Sequence, residues 1–354
     1  MATLTKRERV MRTMRFEETD RTPLYDILQN DAVIEHYAGH VLTVADGDWV
    51  KALAIGRTLD LTRMPEGPQQ PRIERQDNGL VMQHERWTSW IIERPWHDLN
   101  GLAEWVKHEI KRSNAQVFDR TYAEQFHARI RACQAQFAAA DPTGRNDPTM
   151  MIVESGAGLT EAYWHADIEQ FSYLLMDQAD LVEEWLEARL LAELRRVAAI
   201  ANPDVIPLAL TYDDIAYKTA PLFSPVWLRR MWLPRLKRLV TAWHSRDALC
   251  VFHSDGNLWP VLDDLVATGI DGLNPLEVLA GMTVETVRAR YPRLVLTGGI
   301  DVSQLLVYGT PDEVRTACRA AIRAAHGGYL MGSSTELYWD VPLENAIAML
   351  EIVL

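Results

Sequence analysis

The chain has 354 residues, 48% of them hydrophobic and 24% charged, a composition typical of a folded protein rather than a disordered one. The formal net charge of −13, with no long Lys/Arg run, argues against nucleic acid as a partner. Because the sequence has neither an apolar signal segment nor a charge-free run of 18 apolar residues, we expect no membrane contact. The three cysteines lie far apart, which excludes a disulfide framework and favours a cytoplasmic location.

The first 62 residues predict helices that alternate with two short strands. Thr5 to Glu8 is a capping box that begins a helix, and Asp20-Arg21-Thr22-Pro23 ends it. Leu24 to Leu28 and Leu59 to Thr62 predict strands, with a helical stretch over residues 44–57 between them. This order predicts the first two strands of an α/β sheet.

Residues 64–148 predict an elaboration on that sheet. Polar and apolar residues alternate over residues 72–92 and break at Asn78-Gly79, a pair typical of a tight turn. Two helical stretches follow over residues 99–138, and a polar linker over 142–148 leads back to apolar strands. We therefore predict an N-terminal elaboration made of helices and a β-hairpin.

From residue 149 onward, short apolar runs alternate with helical patterns. With the two early strands they make eight, and the later six are Met150–Val153, Val205–Leu210, Leu249–Phe252, Ile270–Leu273, Leu294–Leu296 and Gly328–Met331. Eight short buried strands separated by helices predict a closed (β/α)8 barrel, the TIM barrel of the α/β class. An open doubly wound sheet would be expected to carry a Gly-rich phosphate turn after its first strand, and none is present. We expect one domain over residues 1–354.

The clearest chemical signal is His253-x-Asp255, at the end of the fifth predicted strand. Catalytic residues of such barrels collect in the loops that follow the strands. The pattern predicts a metal site or a proton-transfer pair, and a histidine bonded to its own loop is the alternative. Since strand residues alternate between faces, Val251 should face the pocket with His253, and Cys250 should face the helices.

Further polar residues follow the other predicted strands. Tyr212-Asp213-Asp214 follows the fourth strand, and its adjacent carboxylates could share a divalent metal or a proton with the His-x-Asp pair. We assign Asp214 to the site and Asp213 to its own loop. Glu154 after the third strand faces the pocket or forms a structural salt bridge. The remaining candidates at strand ends are Asp26, Arg63, Asn274 and Ser333.

Several motifs, in order along nearly the whole chain, resemble the uroporphyrinogen decarboxylase superfamily. They are Asp20-Arg21-Thr22-Pro23, the region Glu161-Ala162-Tyr163-Trp164, Tyr212-Asp213-Asp214 with Ser224-Pro225 and Pro234, His253-Ser254-Asp255-Gly256-Asn257, Gly298-Gly299-Ile300-Asp301, and Gly327-Gly328-Tyr329 with Pro342-x-Glu344-Asn345. The resemblance implies a (β/α)8 barrel with one of two activities. One is cofactor-free decarboxylation of uroporphyrinogen, and the other is zinc-dependent methyl transfer to or from a corrinoid.

Departures from the family pattern count against decarboxylation of uroporphyrinogen and against thiol methylation. The decarboxylases carry an Arg-rich segment after the first strand, where this chain has Tyr25 to Asn30 without arginine, and a histidine at the position of Ser333. An octa-acidic substrate would need such cations. The coenzyme M methyltransferases have His-x-Cys where this chain has His253-Ser254-Asp255, and a second zinc cysteine near Ser333. Oxygen ligands in place of these thiols suit polarisation of an ether oxygen or an amine.

The resemblance and the strand-end pattern together imply a methyltransferase that moves a methyl group from a small methoxy or methylamine-type substrate to a corrinoid supplied by a partner protein. They assign zinc to His253, Asp255, Glu154 and Asp214, catalysis to Asp214, Asp255 and Tyr212, and substrate binding to Asn274, Arg63, Asp26 and Ser333. The alternatives are a decarboxylase-like enzyme that acts on a tetrapyrrole without metal and a non-catalytic tetrapyrrole- or corrinoid-binding relative. A homodimer is a possible state. The corrinoid protein is expected to contact the loops after His253 and Ser333 and the hairpin, where Trp87, Trp90 and Trp96 supply contact area or core.

Overall fold

A parallel sheet forms the centre of the computed structural model, which describes residues 3–353; Met1 and Ala2 of the N-terminal segment and Leu354 lie outside this range. The strands are β1 (Leu28–Gln29), β2 (Leu61–Thr62), β3 (Arg72–Arg75), β4 (Val81–His84), β5 (Ser89–Glu93), β6 (Met150–Met151), β7 (Val153–Gly156), β8 (Leu208–Tyr212), β9 (Leu249–His253), β10 (Gly272–Leu276), β11 (Val295–Ile300), β12 (Tyr329–Ser333) and β13 (Leu337–Tyr338).

Eight parallel strands close on themselves. Strands β7 to β12 pair in chain order, and β6, directly before β7, pairs with β2. Tyr25 then bridges to Leu61 in β2, and Leu24 bridges to Met331 in β12, so the first strand joins the last. Beyond this seam β1 pairs with β13. The predicted (β/α)8 fold is confirmed.

Helices surround the barrel. They are α1 (Lys6–Met14), α2 (Asp31–Ala38), α3 (Gly47–Thr58), α4 (Leu99–Ala115), α5 (Arg120–Ala139), α6 (Leu159–Ala166), α7 (Ile168–Asp177), α8 (Ala179–Ile200), α9 (Pro225–Trp227), α10 (Leu233–His244), α11 (Leu262–Ala267), α12 (Val284–Arg290), α13 (Leu305–Tyr308), α14 (Pro311–Ala325) and α15 (Leu343–Leu350). A π-helical turn at Leu228–Trp232 joins α9 to α10. The predicted capping box begins α1, where Thr5 and Glu8 exchange hydrogen bonds. Within the described residues, no helix combines the length and apolarity needed to cross a membrane.

The core has an inner and an outer layer because strand side chains alternate between the barrel interior and the helices. Val251 packs in the inner cluster with Tyr25 and Leu210, whereas Cys250 packs in the outer cluster, as predicted from the position of His253. The alternation also directs the side chains one layer above the inner cluster toward the open end of the barrel. Those side chains are Glu154, Tyr212, His253 and Asn274, and Arg63 directly follows β2.

A buried ionic cluster holds the opposite end of the barrel. Asp60 is completely buried and accepts hydrogen bonds from Arg9 Nη1 at 2.6 Å, Arg21 Nη1 at 2.7 Å and the Leu24 amide at 2.8 Å. Asp20 pairs with Arg9 Nε at 2.7 Å. These contacts connect α1 to the first two strands at the point where the barrel closes.

The elaboration contains one strand more than predicted. Strands β3, β4 and β5 form an antiparallel sheet, so the predicted hairpin is the first two strands of a three-stranded sheet. Gly79, with φ of +88°, forms the predicted turn between β3 and β4. A second turn over residues 85–88, closed by the Glu85 amide on the Thr88 carbonyl at 2.8 Å, leads to β5. Helices α4 and α5 then pack against α8 and α3.

Candidate metal centre and adjoining cavities

The loops after β8, β9 and β10 are tied together at the open end of the barrel. The Ile215 amide donates to Ser254 Oγ at 3.0 Å, and the Gly256 amide donates to Glu277 Oε2 at 2.9 Å. Gly256 has φ of +90°, and a Cβ on it would lie 2.7 Å from the carbonyl carbon of Ala216. Only glycine fits this close approach. The three loops are therefore fixed relative to one another.

Three of the four residues predicted as metal ligands meet at these loops. Ligand atoms of Asp214, His253 and Asp255 all lie within 4.8 Å of one another. His253 Nε2 is 3.7 Å from Asp214 Oδ1, and the Asp255 amide donates to that same oxygen at 3.2 Å. The separation between Nε2 and Oδ1 is short enough for both atoms to bind one ion at about 2.1 Å each. One imidazole and two carboxylates form a donor set that fits a divalent first-row cation.

The protonation states in the cluster favour exchange of a proton for a cation. Burial, reinforced by the Arg63 guanidinium, lowers the pKa of His253 to about 4, so the imidazole is neutral at pH 7. Burial and the neighbouring carboxylates of Asp214 and Glu277 raise the pKa of Asp255 to about 8. A neutral imidazole is ready to bind a metal, whereas Asp255 must first lose its proton.

Two side chains compete for the other ring nitrogen of His253. Asn274 Oδ1 lies 2.7 Å from Nδ1, and Arg63 Nη2 lies 2.9 Å from the same atom. A neutral ring can donate from Nδ1 to Asn274 or accept there from Arg63, but not both. Donation to Asn274 leaves the Nε2 lone pair directed at the carboxylates, which is the tautomer a metal requires.

Glu154, the fourth predicted ligand, lies outside this cluster. Its carboxylate pairs with Arg63 Nη1 at 3.0 Å, and its side chain is 43% exposed. Arg63 also donates from Nε to the Tyr25 hydroxyl at 3.0 Å. The guanidinium thus stands between Glu154 and His253, and the structure forms the salt bridge that the sequence left open as the alternative.

Tyr212, predicted to be catalytic, directs its hydroxyl away from the metal cluster. The hydroxyl bonds Glu161 in α6, and Glu161 Oε2 lies 3.4 Å from Arg189 Nη2. Burial opposes ionisation of Glu161, but Arg189 and the Tyr212 bond hold its pKa below the ordinary value. These residues line a side cavity of about 410 Å³. Sequence analysis missed Glu161 as a site residue, although it quoted the segment that contains it, and missed Arg189 altogether.

Two of the predicted substrate-binding residues bond each other. Asp26 accepts from the Ser333 amide at 2.8 Å and from Ser333 Oγ at 3.0 Å, across the seam between the last and first strands. Burial raises the pKa of Asp26 to about 7. Asp213, assigned to its loop, accepts from the Thr160 amide at 2.6 Å and from Trp232 Nε1 at 2.8 Å. Asp26, Ser333 and Asp213 therefore stabilise the barrel in the structure. The other two predicted substrate-binding residues, Arg63 and Asn274, both contact His253.

A second cavity, of about 220 Å³, adjoins the cluster through Arg63. Arg63 and Glu154 line one part of it, and Lys51 from α3 and Trp87 from the turn before β5 line another. Because Arg63 also contacts His253, a molecule in this cavity would lie one side chain away from the candidate metal ligands. Lys51 and Trp87 were not identified from the sequence.

The fold and the cluster of a buried imidazole with two partly exposed carboxylates define a TIM barrel with a candidate metal centre at the carboxyl ends of its strands. The family model for uroporphyrinogen decarboxylase (URO-D) matches residues 134–354, more than half of the chain. The protein therefore belongs to the uroporphyrinogen decarboxylase family, as its motifs implied.

Similarity to solved structures is limited to the fold. A methyltransferase from Methanosarcina mazei is 16% identical with a TM-score of 0.68, and the alignment covers 99% of this chain and 98% of that one. A xylose isomerase-like TIM barrel protein from Mycobacterium smegmatis, in complex with magnesium, is 11% identical with a TM-score of 0.33, over 72% of this chain and 89% of that one. A comparison with curated proteins found no match.

Proposed function

We propose that the protein is a metal-dependent methyltransferase that moves a methyl group from a small methoxy or methylamine-type substrate to a corrinoid supplied by a partner. The observation that carries the proposal is the cluster of Asp214, His253 and Asp255 at the mouth of the barrel. Membership of the URO-D family and a barrel fold shared with a methyltransferase support it. The metal we propose is zinc, which binds imidazole and carboxylate ligands.

Under this proposal, residues of the cluster bind the ion, and a neighbouring residue orients the substrate. His253 offers Nε2 while Asn274 holds the Nδ1 proton, and Asp255 gives up its proton when the ion binds. A divalent ion in this cluster would supply Lewis acidity toward the oxygen or nitrogen that carries the methyl group. Arg63, at the inner end of the smaller cavity, orients the substrate beside the cluster.

Exposed apolar side chains around the mouth of the barrel support delivery of the corrinoid by a partner protein. Trp164 and Tyr217 follow β7 and β8 and are 40% and 64% exposed, and Trp339, close after β12, is 51% exposed. Of the three hairpin tryptophans, Trp90 is exposed, whereas the other two pack against the core. Exposed aromatic residues are enriched at protein interfaces.

The test combines metal content with methyl transfer. Zinc-loaded wild type should methylate reduced cobalamin from at least one methoxy or methylamine donor, followed by absorbance. His253→Ala should bind less zinc and lose this activity. His244→Ala is the matched control, because His244 also bonds an aspartate, Asp271, but at the other end of its helix from the mouth. Wild type that binds no zinc above background, or that methylates cobalamin from no donor, contradicts the proposal.

A decarboxylase-like activity on a tetrapyrrole is the second candidate. It is favoured by Asp255, whose raised pKa keeps a carboxylic acid protonated at neutral pH, where it could donate a proton to a pyrrole without metal. The loss of arginines near Asp26 argues against uroporphyrinogen as its substrate. We expect no efficient coproporphyrinogen formation from freshly reduced uroporphyrinogen under anaerobic conditions. Chelator-resistant turnover of a tetrapyrrole would favour this candidate over methyl transfer.

We also propose a cytoplasmic location. Cys133, Cys250 and Cys318 are all free thiols in the structure, and Cys250 and Cys318 are buried. Burial raises the pKa of Cys318 to about 12, so this thiol is a packing residue rather than a nucleophile. Free thiols are typical of a reducing compartment.

A further inference from the structure

Lys51 is a buried cation with unused hydrogen-bonding capacity. It lies in the middle of α3, is 3% exposed, and donates from Nζ to the Glu66 carbonyl at 2.8 Å. Among the described residues no carboxylate oxygen lies within 4 Å of Nζ. An ammonium has three N–H donors, so two remain beyond the bond to Glu66. A buried charge without an ion-pair partner is costly and favours a ligand of opposite sign.

The surroundings of Lys51 leave it as the available cation of its cavity. The ammonium lies 4.8 Å from the centre of the Trp87 ring, and Trp87 Nε1 is anchored on Asp31 Oδ1 at 2.8 Å. Arg86 also lines the cavity, but it pairs with that same aspartate at 2.8 Å. Glu66, Asp48 and Glu336 supply negative charge around Lys51, but among the described residues none of their carboxylates forms an ion pair with it. Burial lowers the pKa of Lys51 to about 8, so most of its ammonium groups keep their charge at pH 7.

The cavity joins Lys51 to the candidate metal centre. Arg63 lines it and lies 2.9 Å from His253 Nδ1, so one end of the cavity adjoins the cluster. Ile27, Met64 and Trp87 supply apolar wall between the charged residues. The volume of about 220 Å³ is below the roughly 300–1,000 Å³ of sites for drug-sized ligands, so the cavity fits a small molecule.

We propose that Lys51 binds an anionic group of the methyl donor, and that the donor is therefore a small methylated carboxylic acid with an apolar body. The carboxylate accepts charge-assisted hydrogen bonds from Nζ, the apolar body packs along Trp87, and the methylated end faces Arg63 and the metal cluster. The identification of this ligand as the donor rests on the proposed function. The anion site itself stands on the burial and contacts of Lys51.

The test compares charged and neutral ligands of the same shape. Binding of benzoate, 4-methoxybenzoate and 4-methoxybenzamide is measured by calorimetry for wild type, Lys51→Met and Lys51→Gln. Wild type should bind both carboxylates at least tenfold more tightly than the amide. Each Lys51 variant should lose roughly ten- to a hundredfold in carboxylate affinity, with no comparable loss for the amide. Lys218→Met, an exposed lysine in the loop after β8, should bind as wild type does.

Equal binding of carboxylate and amide by wild type overturns the proposal. Full carboxylate affinity in folded Lys51 variants also overturns it, and so does an equal loss of carboxylate affinity in Lys218→Met. If neither Lys51 variant folds, as judged by thermal unfolding, the selectivity of wild type decides alone. Benzoate carries no methyl group, so its binding is independent of metal and corrinoid. Methyl transfer from neutral donors without carboxylate selectivity would refute the anion site and leave the proposed function standing. Carboxylate binding without any methyl transfer would support the anion site and refute the proposed function.

Discussion

Zinc that binds to the metal-free protein should displace a proton from Asp255. Burial and the nearby carboxylates raise the pKa of this residue to about 8, so about 0.9 of its carboxyl groups carry a proton at pH 7 and about half at pH 8. His253, with its pKa lowered to about 4, contributes almost nothing at either pH. With ordinary pKa values the result would be inverted, because the imidazole would release about 0.2 proton at pH 7 and the aspartate almost none.

The same displacement sets the pH dependence of zinc affinity. Below pH 8, each decrease of one pH unit should weaken zinc binding about tenfold, or about 1.4 kcal/mol, because the ion must displace the one proton on Asp255. Above pH 8 this carboxyl group is mostly ionised, and the affinity should no longer depend on its titration. Calorimetry in buffers of different ionisation enthalpy measures both the proton count and the affinity. Asp255→Asn keeps an oxygen at this position but has no proton to lose, and it reports protons that come from bound water. The reasoning is refuted if wild type releases no more protons at pH 7 than Asp255→Asn, or if its affinity is flat between pH 6 and 8.

Three further changes test other parts of the structure. Asn274→Ala removes the acceptor assigned to the Nδ1 proton of His253, and calorimetry should find zinc affinity lowered about ten- to a hundredfold; unchanged affinity would exclude the assigned tautomer. Asp60→Ala removes the buried carboxylate that accepts from Arg9, Arg21 and the Leu24 amide, and it should lower the free energy of unfolding in urea by about 3–5 kcal/mol. Asp312→Ala, which removes an exposed partner of Arg315, should lower it by less than about 1 kcal/mol. Gly256→Ala should lower the free energy of unfolding by about 2 kcal/mol or more and weaken zinc binding. Gly281→Ala, with a similar φ of +77° but open space around it, should lower the free energy of unfolding only by the backbone strain. Equal losses in the two variants would show that the contact of Gly256 with the neighbouring loop is not tight.

The cluster of candidate metal ligands could be predicted from the sequence because its members lie at or just after the ends of apolar strands. The alternation of short apolar strands with helices is visible in the sequence, and the carboxyl ends of neighbouring parallel strands meet, so the sequence predicts that Asp214, His253 and Asp255 converge. Strand ends were harder to predict. The sixth barrel strand runs over Gly272–Leu276 rather than ending at Leu273, because Asn274 continues the strand into the polar top layer of the barrel, where an apolar pattern no longer marks it.

The smaller cavity could not be predicted in the same way. Lys51 sits in a helix of mixed composition and is indistinguishable by sequence from a lysine that faces solvent. Its burial depends on how the loop at Glu66 and the turn that carries Trp87 fold back over the helix, and these contacts are long-range. The same reason explains Arg189, which reaches Glu161 from a different helix. Pairings of this kind are set by tertiary packing and leave no periodic signal.

The stretch of the chain that matches the family and the stretch that precedes it contribute different residues to the mouth of the barrel. The stretch that matches the family, residues 134–354, supplies the three clustered ligands on a continuous run of strands, whereas Lys51, Arg63 and the three-stranded sheet precede it. The candidate metal ligands and the proposed anion-binding lysine therefore lie in different parts of the chain. Under the proposed function, substitutions at Lys51 and Trp87 would change the preferred donor and leave Asp214, His253 and Asp255 in place, so engineering of a new donor would begin at these two residues.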